Sequence, residues 1–365
     1  MFSIETILFI WLPIALSIDV IIPSSGSGIS NSSLIISNKS PSFTQFGFSW
    51  ALNKNINFEY FHGTLRSLVE DESNSEFYNQ VGQKIPELNR FIAAHRLDWN
   101  ITDRLTIGAS EAVVYGVRSL DLMYLLPFAP FLSLQQYLGD FDNIQWVLDF
   151  EWKLNSKINL YSAFLMDEWK PSMTFNKRNR NWFAYQVGLF GDKILSDNDF
   201  LTIELNWTDH RVYRHQNPIN DYYSHGYPIG FWAGPHAEEV LIHYILNKDS
   251  FTMLVGCSYA KRGELTQSML VNQYDNVVYD RFSNTNESIS VFDLIISKEI
   301  RNGFNLHFGI SYIDWANGNF DPFNPNVAVK STTKSSIMFG FSQNFDIFNQ
   351  RTNITKNSIK KSISI

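Results

Sequence analysis

The stretch NIQWVLDFEWKL, residues 143–154, decides the fold class. Its apolar side chains fall on every second position and its polar ones between them, with Val147 as the exception. Successive side chains of a β-strand point to opposite faces, so the pattern predicts a strand with one apolar and one polar face. The apolar positions are Ile144, Trp146, Leu148, Phe150, Trp152 and Leu154, and the polar ones are Asn143, Gln145, Asp149, Glu151 and Lys153.

The same alternation recurs along the chain, for example in residues 201–208 and 304–311, and short polar turns join such runs in pairs. Asn, Asp and Gly accept the left-handed dihedral angles that tight hairpins require. The sequence therefore predicts six hairpins. Their turns are Asn53–Asn55, Thr102–Asp103, Asn155–Lys157, Ser196–Asn198, Asn247–Asp249 and Arg301–Gly303.

Longer connections separate the hairpins, at 67–89, 116–142, 168–180, 214–235, 262–286 and 315–331. Short turns at one end and long loops at the other are typical of outer-membrane barrels, whose strands of about ten residues cross the hydrocarbon layer at a tilt of about 45°. The last predicted strand, Thr332–Phe348, alternates in the same way and ends on an aromatic residue. That ending is similar to the C-terminal assembly signal of outer-membrane proteins.

The predicted fold is all-β, a transmembrane antiparallel up-and-down β-barrel over residues 31–348. It has about 14 strands when one near Ser32–Asn38 is included. Residues 1–30 are predicted to be an apolar N-terminal segment, either a degenerate signal peptide or the start of a truncated chain, and 349–365 a disordered polar tail. A soluble β-sandwich is the alternative, although its strands would be shorter, about 5–6 residues.

Composition narrows the possible functions. The chain has 365 residues and a net charge of −7, which argues against nucleic acid as a partner because phosphate binding requires a basic face. A single cysteine, Cys257, excludes a disulfide framework and a multi-thiolate metal site. The apolar run Ile7–Ile22 is interrupted by Pro13 and Asp19 and is shorter than the roughly 20 residues of a membrane-spanning helix.

Several short segments resemble the Wzi-type capsule assembly family. They occur in the family's order and cover residues 30 to 262 best. The matching segments are Ser33–Phe43 (SLIISNKSPSF), Phe58–Leu65 (FEYFHGTL), Asn89–Asp98 (NRFIAAHRLD), Ile107–Gly116 (IGASEAVVYG), Asp142–Asp149 with Tyr161–Glu168 (YSAFLMDE), and Gly230–Pro235 followed by Glu238–Glu239.

The resemblance implies an 18-stranded outer-membrane barrel with lumenal or periplasmic helices. It also implies a lectin role, because characterised members hold capsular polysaccharide at the cell surface. This chain departs from the family in two respects. Only about 14 strands can be identified from the alternation, and the usual N-terminal region before Ser33 is missing, so we expect an N-terminally truncated chain.

Residues 209–235 form the loop richest in aromatic side chains, and aromatic faces beside polar groups suit the binding of sugars. The alternative is a solvated loop. Basic residues near its start would attract an acidic polysaccharide. The predicted glycan-binding residues are Tyr213, Tyr222, Tyr223, Tyr227, Trp232, His210, Arg211 and Arg214.

Eight charged residues lie on or beside the predicted strands. We expect opposite charges among them to lock the lumen as a network, with a ligand path as the alternative. Glu111 shares its parity with apolar residues, so a bulge would be needed to turn it inward. The predicted lumenal charge network is Arg96, Asp98, Glu111, Asp142, Asp149, Glu151, Asp167 and Glu168.

Two further features concern helices and tryptophans. Pro127–Leu138 predicts a short helix begun by proline, placed as a plug in the lumen rather than on the membrane surface. Trp169, Trp182 and Trp315 lie at loop margins, where an interfacial aromatic belt is expected.

No arrangement for catalysis is visible. The adjacent carboxylates Asp167 and Glu168 would point to opposite faces of a strand, and the histidines lack a metal-ligand spacing. We therefore predict no enzyme activity, no catalytic residue, no metal and no cofactor.

The predicted function is a non-enzymatic outer-membrane protein that binds, anchors or helps assemble capsular or surface polysaccharide. A porin or substrate-specific channel is the alternative, because the inward face is polar. The expected partners are outer-membrane lipid, surface polysaccharide and the barrel assembly machinery, with no nucleic acid and a monomeric state. The long loops are predicted to be extracellular and both termini periplasmic.

Overall fold

The protein is described here from a computed structural model, which covers residues 14–19, 33–78, 82–169, 171–174, 181–272, 280–301, 303–318 and 330–343. In chain order the strands are β1 (Ile14–Asp19), β2 (Thr44–Asn53), β3 (Ile56–Leu65), β4 (Glu76–Tyr78), β5 (Gly82–Lys84), β6 (Arg90–Thr102), β7 (Leu105–Gly116), β8 (Asn143–Lys153), β9 (Ile158–Glu168), β10 (Trp182–Asp192), β11 (Asp199–Thr208), β12 (Tyr223–Ser224), β13 (Tyr227–Pro228), β14 (Ala237–Lys248), β15 (Phe251–Gly263), β16 (Asn286–Arg301), β17 (Phe304–Gly318) and β18 (Lys330–Gln343).

Fourteen of these strands form one sheet in which each pairs antiparallel with the next along the chain, from β1 to β18. This is the predicted up-and-down order. The pairs β4–β5 and β12–β13 are small separate hairpins inside long loops. Two short α-helices, α1 (Phe131–Leu138) and α2 (Gln267–Val271), and four 3₁₀ turns complete the described elements. None of the helices in these described stretches is long and apolar enough to span a membrane.

All six predicted short turns join neighbouring strands of the sheet, at one end of it. Side chains in the turns hold the backbone amides that the strands leave unpaired. Asn53 Oδ1 accepts hydrogen bonds from the amides of Asn55 and Ile56 at 2.8 and 3.0 Å. Asn155 Oδ1 does the same for Lys157 and Ile158. The Asn residues therefore fix the turns through local hydrogen bonds.

The predicted strand near Ser32–Asn38 is wrong, although the count of fourteen is confirmed. The first strand of the sheet is Ile14–Asp19, inside the stretch assigned to a separate N-terminal segment. Residues 33–40 instead form an irregular segment whose Leu34, Ile35 and Ile36 are buried on every side. The last strand ends at Gln343, and the predicted residues 344–348, like the tail 349–365, lie outside the described residues.

The sheet has two distinct faces. The inward face carries the polar residues of the alternating pattern, and long loops pack against it. A core cluster there joins Leu34, Tyr213 and Phe231 from the loops to Ile92 and Leu165 from the wall. The outward face exposes large apolar side chains along the strands, including Leu97, Trp99, Leu148, Phe150, Val187, Leu205, Ile242, Phe292, Tyr312 and Phe339. Val147, the exception in the alternation, is inward and buried in the core.

The connection between β7 and β8 lies on the outward face, which corrects the predicted lumenal plug. Its helix begins after Pro130, close to the predicted start, and its Phe131 ring stacks on His95 at 4.4 Å. Phe128 packs on Phe58 at 4.7 Å. Both wall residues, His95 and Phe58, lie on the outward face. His95 precedes the inward Arg96 on β6, and Phe58 pairs with the outward Leu97. Residues 117–142 are called the outer-wall segment below.

Candidate functional site

The predicted charge network is split into separate groups. On the inward face, the Arg96 guanidinium contacts Asp149 at 2.6 Å and Asp98 at 2.6 Å. It also donates to Ser110 Oγ at 3.1 Å. Gly108 makes room for it, since a Cβ there would collide with Arg96. This buried, bidentate arrangement satisfies both signs of charge, as expected for a lumenal lock.

Three more members of the predicted network lie near the inward face. Glu151 alternates with Phe150 and shares the face of Asp149. Asp167 accepts a hydrogen bond at 2.6 Å from the amide of Tyr213, which ties the long loop to β9. Glu168 ends β9 at a bulge opposite Trp182. Of these three carboxylates, Asp167 is the one that attaches a loop to the wall.

Glu111 and Asp142 do not face the lumen, contrary to the prediction. Glu111 lies on the outward face without a bulge at its position, because the pairing of β6 with β7 is regular there. The outer-wall segment supplies its partners, which are the amides of Phe131 and Leu132. Asp142 joins the same segment through a bidentate contact with Arg118 at 2.7 and 2.8 Å. A carboxylate thus tolerates the outward face because a helix N-terminus covers it.

The predicted glycan-binding residues are divided between buried and accessible positions. Tyr213 and Tyr222 are fully buried and stack on each other at 5.7 Å, so neither ring has a free face. Tyr227 is 64% exposed, and Tyr223 and Trp232 are half-buried. Stacking on a sugar is therefore available to Tyr227, Trp232 and, in part, Tyr223.

The basic residues of the same loop are already paired. Arg211 contacts Asp209 at 2.8 Å, and Arg214 contacts Asp221 at 2.5 Å. Burial lowers the pKa of His210 to about 4, so this ring is neutral at pH 7. The arrangement does not form the free cationic patch that would steer an acidic polysaccharide.

A polar network on the inward face surrounds the exposed edge of Trp232. The indole Nε1 donates to Glu239 at 2.9 Å, and Lys39 lies 3.9 Å from the same carboxylate. Asn206 bridges Glu239 to Glu204, and Tyr161 donates to Glu204 at 2.7 Å. Three strands, β9, β11 and β14, thereby place amide, carboxylate and hydroxyl groups beside one aromatic ring.

Next to Trp232 lies a small cleft that the sequence did not predict. We call it the inner-wall cleft, and it is lined by Trp232, Ala260, Arg262, Glu287 and Ile289. Arg262 and Glu287 form an ion pair at 2.6 Å, and Trp315 Nε1 donates to Glu287 at 2.6 Å. The cleft combines one indole, that of Trp232, with a planar charged pair, and Trp315 contacts that pair from outside the lining. Its volume of about 10 Å³ is room for about one water molecule, so a larger ligand could contact it only at its mouth.

Two of the three tryptophans predicted for an interfacial belt, Trp182 and Trp315, lie elsewhere. Trp315 faces inward, and Trp182 is fully buried in the core beneath Arg211. Trp169 is 46% exposed beyond the end of β9. The alternation of residues 304–311 placed apolar residues outward, and extending it to Trp315 would have revealed its inward position.

Asp221 gives the long loop a pH-dependent attachment. It contacts Arg214 and accepts from the His215 amide at 2.8 Å, while its carbonyl accepts from Arg90 of β6. Burial outweighs these partners and raises the pKa of the Asp221 carboxyl from 3.8 to about 6.

Between about pH 4 and 6, folded Asp221 therefore holds a proton that the unfolded chain has released, so this group makes stability fall as pH rises through that window. The unfolding free energy of the wild type, taken relative to that of Asp221→Asn, should therefore decrease as the pH rises from about 4 to 6. Urea titrations in detergent at several pH values measure it. A difference that is constant with pH would contradict the assignment.

No family model matches the sequence, and no curated protein matches it. Among solved structures, Wzi of Escherichia coli matches with a TM-score of 0.60 at 16% identity, over 91% of this chain and 68% of Wzi. Wzi is described as an outer-membrane protein involved in group 1 capsule assembly and as a carbohydrate-binding β-barrel. Pseudomonas aeruginosa OccK10 matches with a TM-score of 0.46 at 8% identity, over 92% of this chain and 81% of that protein.

The fold class follows from the sheet and this likeness together. Fourteen antiparallel strands in sequential order, with a polar inward and an apolar outward face, form an outer-membrane type of β-barrel. The likeness to Wzi at this identity concerns the fold.

Proposed function

We propose that the protein is a non-enzymatic outer-membrane protein that binds and anchors, or helps assemble, capsular or surface polysaccharide. The observation that carries the proposal is the position of Trp232, half-buried between the Glu239 network and the inner-wall cleft. Its ring can stack on a sugar while the neighbouring polar groups bind hydroxyls. The carbohydrate binding and capsule role described for Wzi support the same function for a chain of this fold.

The proposed location is the outer membrane of a Gram-negative cell. The exposed outward residues, such as Leu148 and Phe339, would then face acyl chains. We place the long loops outside the cell and both termini in the periplasm, because outer-membrane barrels have short periplasmic turns. Membrane lipid, the barrel assembly machinery and surface polysaccharide are the proposed partners of a monomer.

Trp232→Ala and Tyr227→Ala should each weaken binding of surface polysaccharide by about 5- to 30-fold, equivalent to about 1–2 kcal/mol. The reason is the loss of an accessible aromatic face. Binding of purified protein in detergent to polysaccharide from the source bacterium can be measured by biolayer interferometry.

Trp232→Phe should keep most of the binding, because it retains a ring and loses only the hydrogen bond to Glu239. Tyr137→Ala is the matched control, since Tyr137 is 81% exposed but lies on the outer-wall segment. Tyr222→Ala is unsuitable because it would remove a buried core residue. Binding equal to that of the wild type by all four variants would exclude Trp232 and Tyr227 from the site.

A transport channel is the second candidate, favoured by the polar inward face. Leu34, Ile35 and Ile36 and residues of the loop from Asp209 to His236 pack in the lumen against β6 to β10. We therefore expect no steady ion current in planar bilayers, in contrast to a porin inserted under the same conditions. A stable single-channel conductance would favour the channel instead.

A further inference from the structure

The side of the outer-wall segment, residues 117–142, that faces the wall supplies hydrogen-bond partners for polar groups of the wall. It covers the long-loop half of β3, β6, β7 and β8 on their outward face. Glu111 is bound there by the amides of Phe131 and Leu132 and by Trp146 Nε1 at 2.8 Å. The Tyr60 hydroxyl donates to the carbonyl of Tyr124 at 2.8 Å. In lipid, each of these groups would cost several kcal/mol if it had no partner.

The opposite side of the segment is apolar and exposed. Between Ser119 and Gly139 the only ionisable side chain with a charge at pH 7 is Asp121, and it lies 3.3 Å from Arg118. Five large side chains of the outer-wall segment are exposed by about half or more. They are Leu122 at 71%, Leu126 at 49%, Phe128 at 58%, Tyr137 at 81% and Phe141 at 59%. An apolar surface of this kind marks an interaction site rather than a water-exposed loop.

This apolar surface continues the outward band of the barrel wall. Along β6, the outward residue His95 is covered by the segment, and the next outward residues, Leu97 and Trp99, are exposed. On β8, Trp146 is covered, whereas Leu148 and Phe150 are exposed. At the end of the barrel where the long loops lie, the segment therefore forms the outer surface in place of the strand residues that it covers.

We propose that the outer-wall segment is a lipid-binding surface that inserts Leu122, Leu126 and Phe128 among the acyl chains of the leaflet on the long-loop side. The inference rests on the proposed membrane location. Acyl chains are the occupant because the surface is continuous with the wall residues that face them, and the charged groups at its edges already have partners within the segment. Arg118 pairs with Asp121 and Asp142, and Asp140 accepts from Gln135. Tyr137 suits the headgroup level, where tyrosine is favoured.

Nitroxide labels can test the insertion. The variants L126C and F128C, each in a C257S background, would be labelled and reconstituted into phosphatidylethanolamine–phosphatidylglycerol vesicles. Electron paramagnetic resonance then compares collisions with oxygen, which concentrates in lipid, and with a water-soluble nickel chelate. The native Cys257, exposed on the outward face of β15, is the lipid reference, and D197C in an exposed short turn is the water reference.

The proposal expects labels at positions 126 and 128 to lose access to nickel and to match Cys257. If Cys257 behaves as lipid-exposed while 126 and 128 match position 197, the insertion is overturned but the membrane location stands. If Cys257 is itself accessible to nickel, the membrane location fails as well. Labels at 126 and 128 that neither reagent reaches would indicate a protein contact and would also overturn the proposal.

Discussion

Arg96→Ala should lower the free energy of unfolding by about 3–5 kcal/mol, because it leaves the buried Asp149 carboxylate without its counter-ion. Asp149 is only 3% exposed, and both of its oxygens accept hydrogen bonds from the Arg96 guanidinium, at 2.6 and 2.8 Å. Asp98 and Ser110 lose the same partner. Urea-induced unfolding in detergent, followed by tryptophan fluorescence, measures the change.

Two controls separate the loss of the charge pair from the loss of side-chain volume. Arg96→Met combined with Asp149→Leu removes both charges and should recover most of the stability, because no buried carboxylate remains at position 149. Arg66→Ala removes an arginine from a solvent-exposed pair with Glu87 and should leave the unfolding midpoint close to that of the wild type. A loss in Arg96→Ala no larger than that in Arg66→Ala would show that the lumenal pair does not stabilise the barrel.

The sequence was sufficient to predict the sheet apart from its first strand, together with its two faces and its short turns. Alternation is a direct result of placing one side of each strand against an apolar environment and the other against a polar one, as at Trp146 and Gln145. The turns are equally local, because Asn53 and Asn155 bind amides only two or three residues away. Features that depend on sequence neighbours alone can be identified without knowing the rest of the fold.

The positions of the long loops could not be predicted in this way. Leu34, Ile35 and Ile36 resemble part of a strand, yet all three are buried, whereas a wall strand has one face toward the lumen and one toward lipid. Three consecutive apolar residues were the available sign that this segment lies within the core. The partners of the segment, such as Ile229, are almost 200 positions away, as the bond from the Ser37 amide to its carbonyl shows.

The candidate site was predicted only in part for the same reason. Trp232 was identified from the composition of its loop, and it does lie beside polar groups that can bind a ligand. Arg262, Glu287 and Trp315 come from three different strands and contact one another only through the register of β15, β16 and β17. Conversely, the parity of Glu111 gave its outward direction correctly, but nothing local to it indicated the helix that covers it.

Glu111→Ala should release the outer-wall segment and lower the free energy of unfolding by about 2–4 kcal/mol, since several polar groups would lose a charged hydrogen-bond partner. The amides of Phe131 and Leu132 and the Trp146 indole would be unpaired at the outward face. The Phe131 ring would no longer be held on His95. Hydrogen exchange of residues 128–138 in detergent should increase strongly, while that of the β14–β15 hairpin should stay unchanged.

Glu111→Gln is the matched control for this prediction. The amide side chain keeps an oxygen that can accept from the helix N-terminus, but it has no charge to interact with the helix dipole or with His95. It should therefore fall between the wild type and Glu111→Ala in both stability and exchange. If Glu111→Ala leaves residues 128–138 as protected as in the wild type, the apolar contacts of Phe128 and Phe131 hold the segment without the carboxylate. In that case the burial of Glu111 would be a consequence of the segment's position rather than its cause.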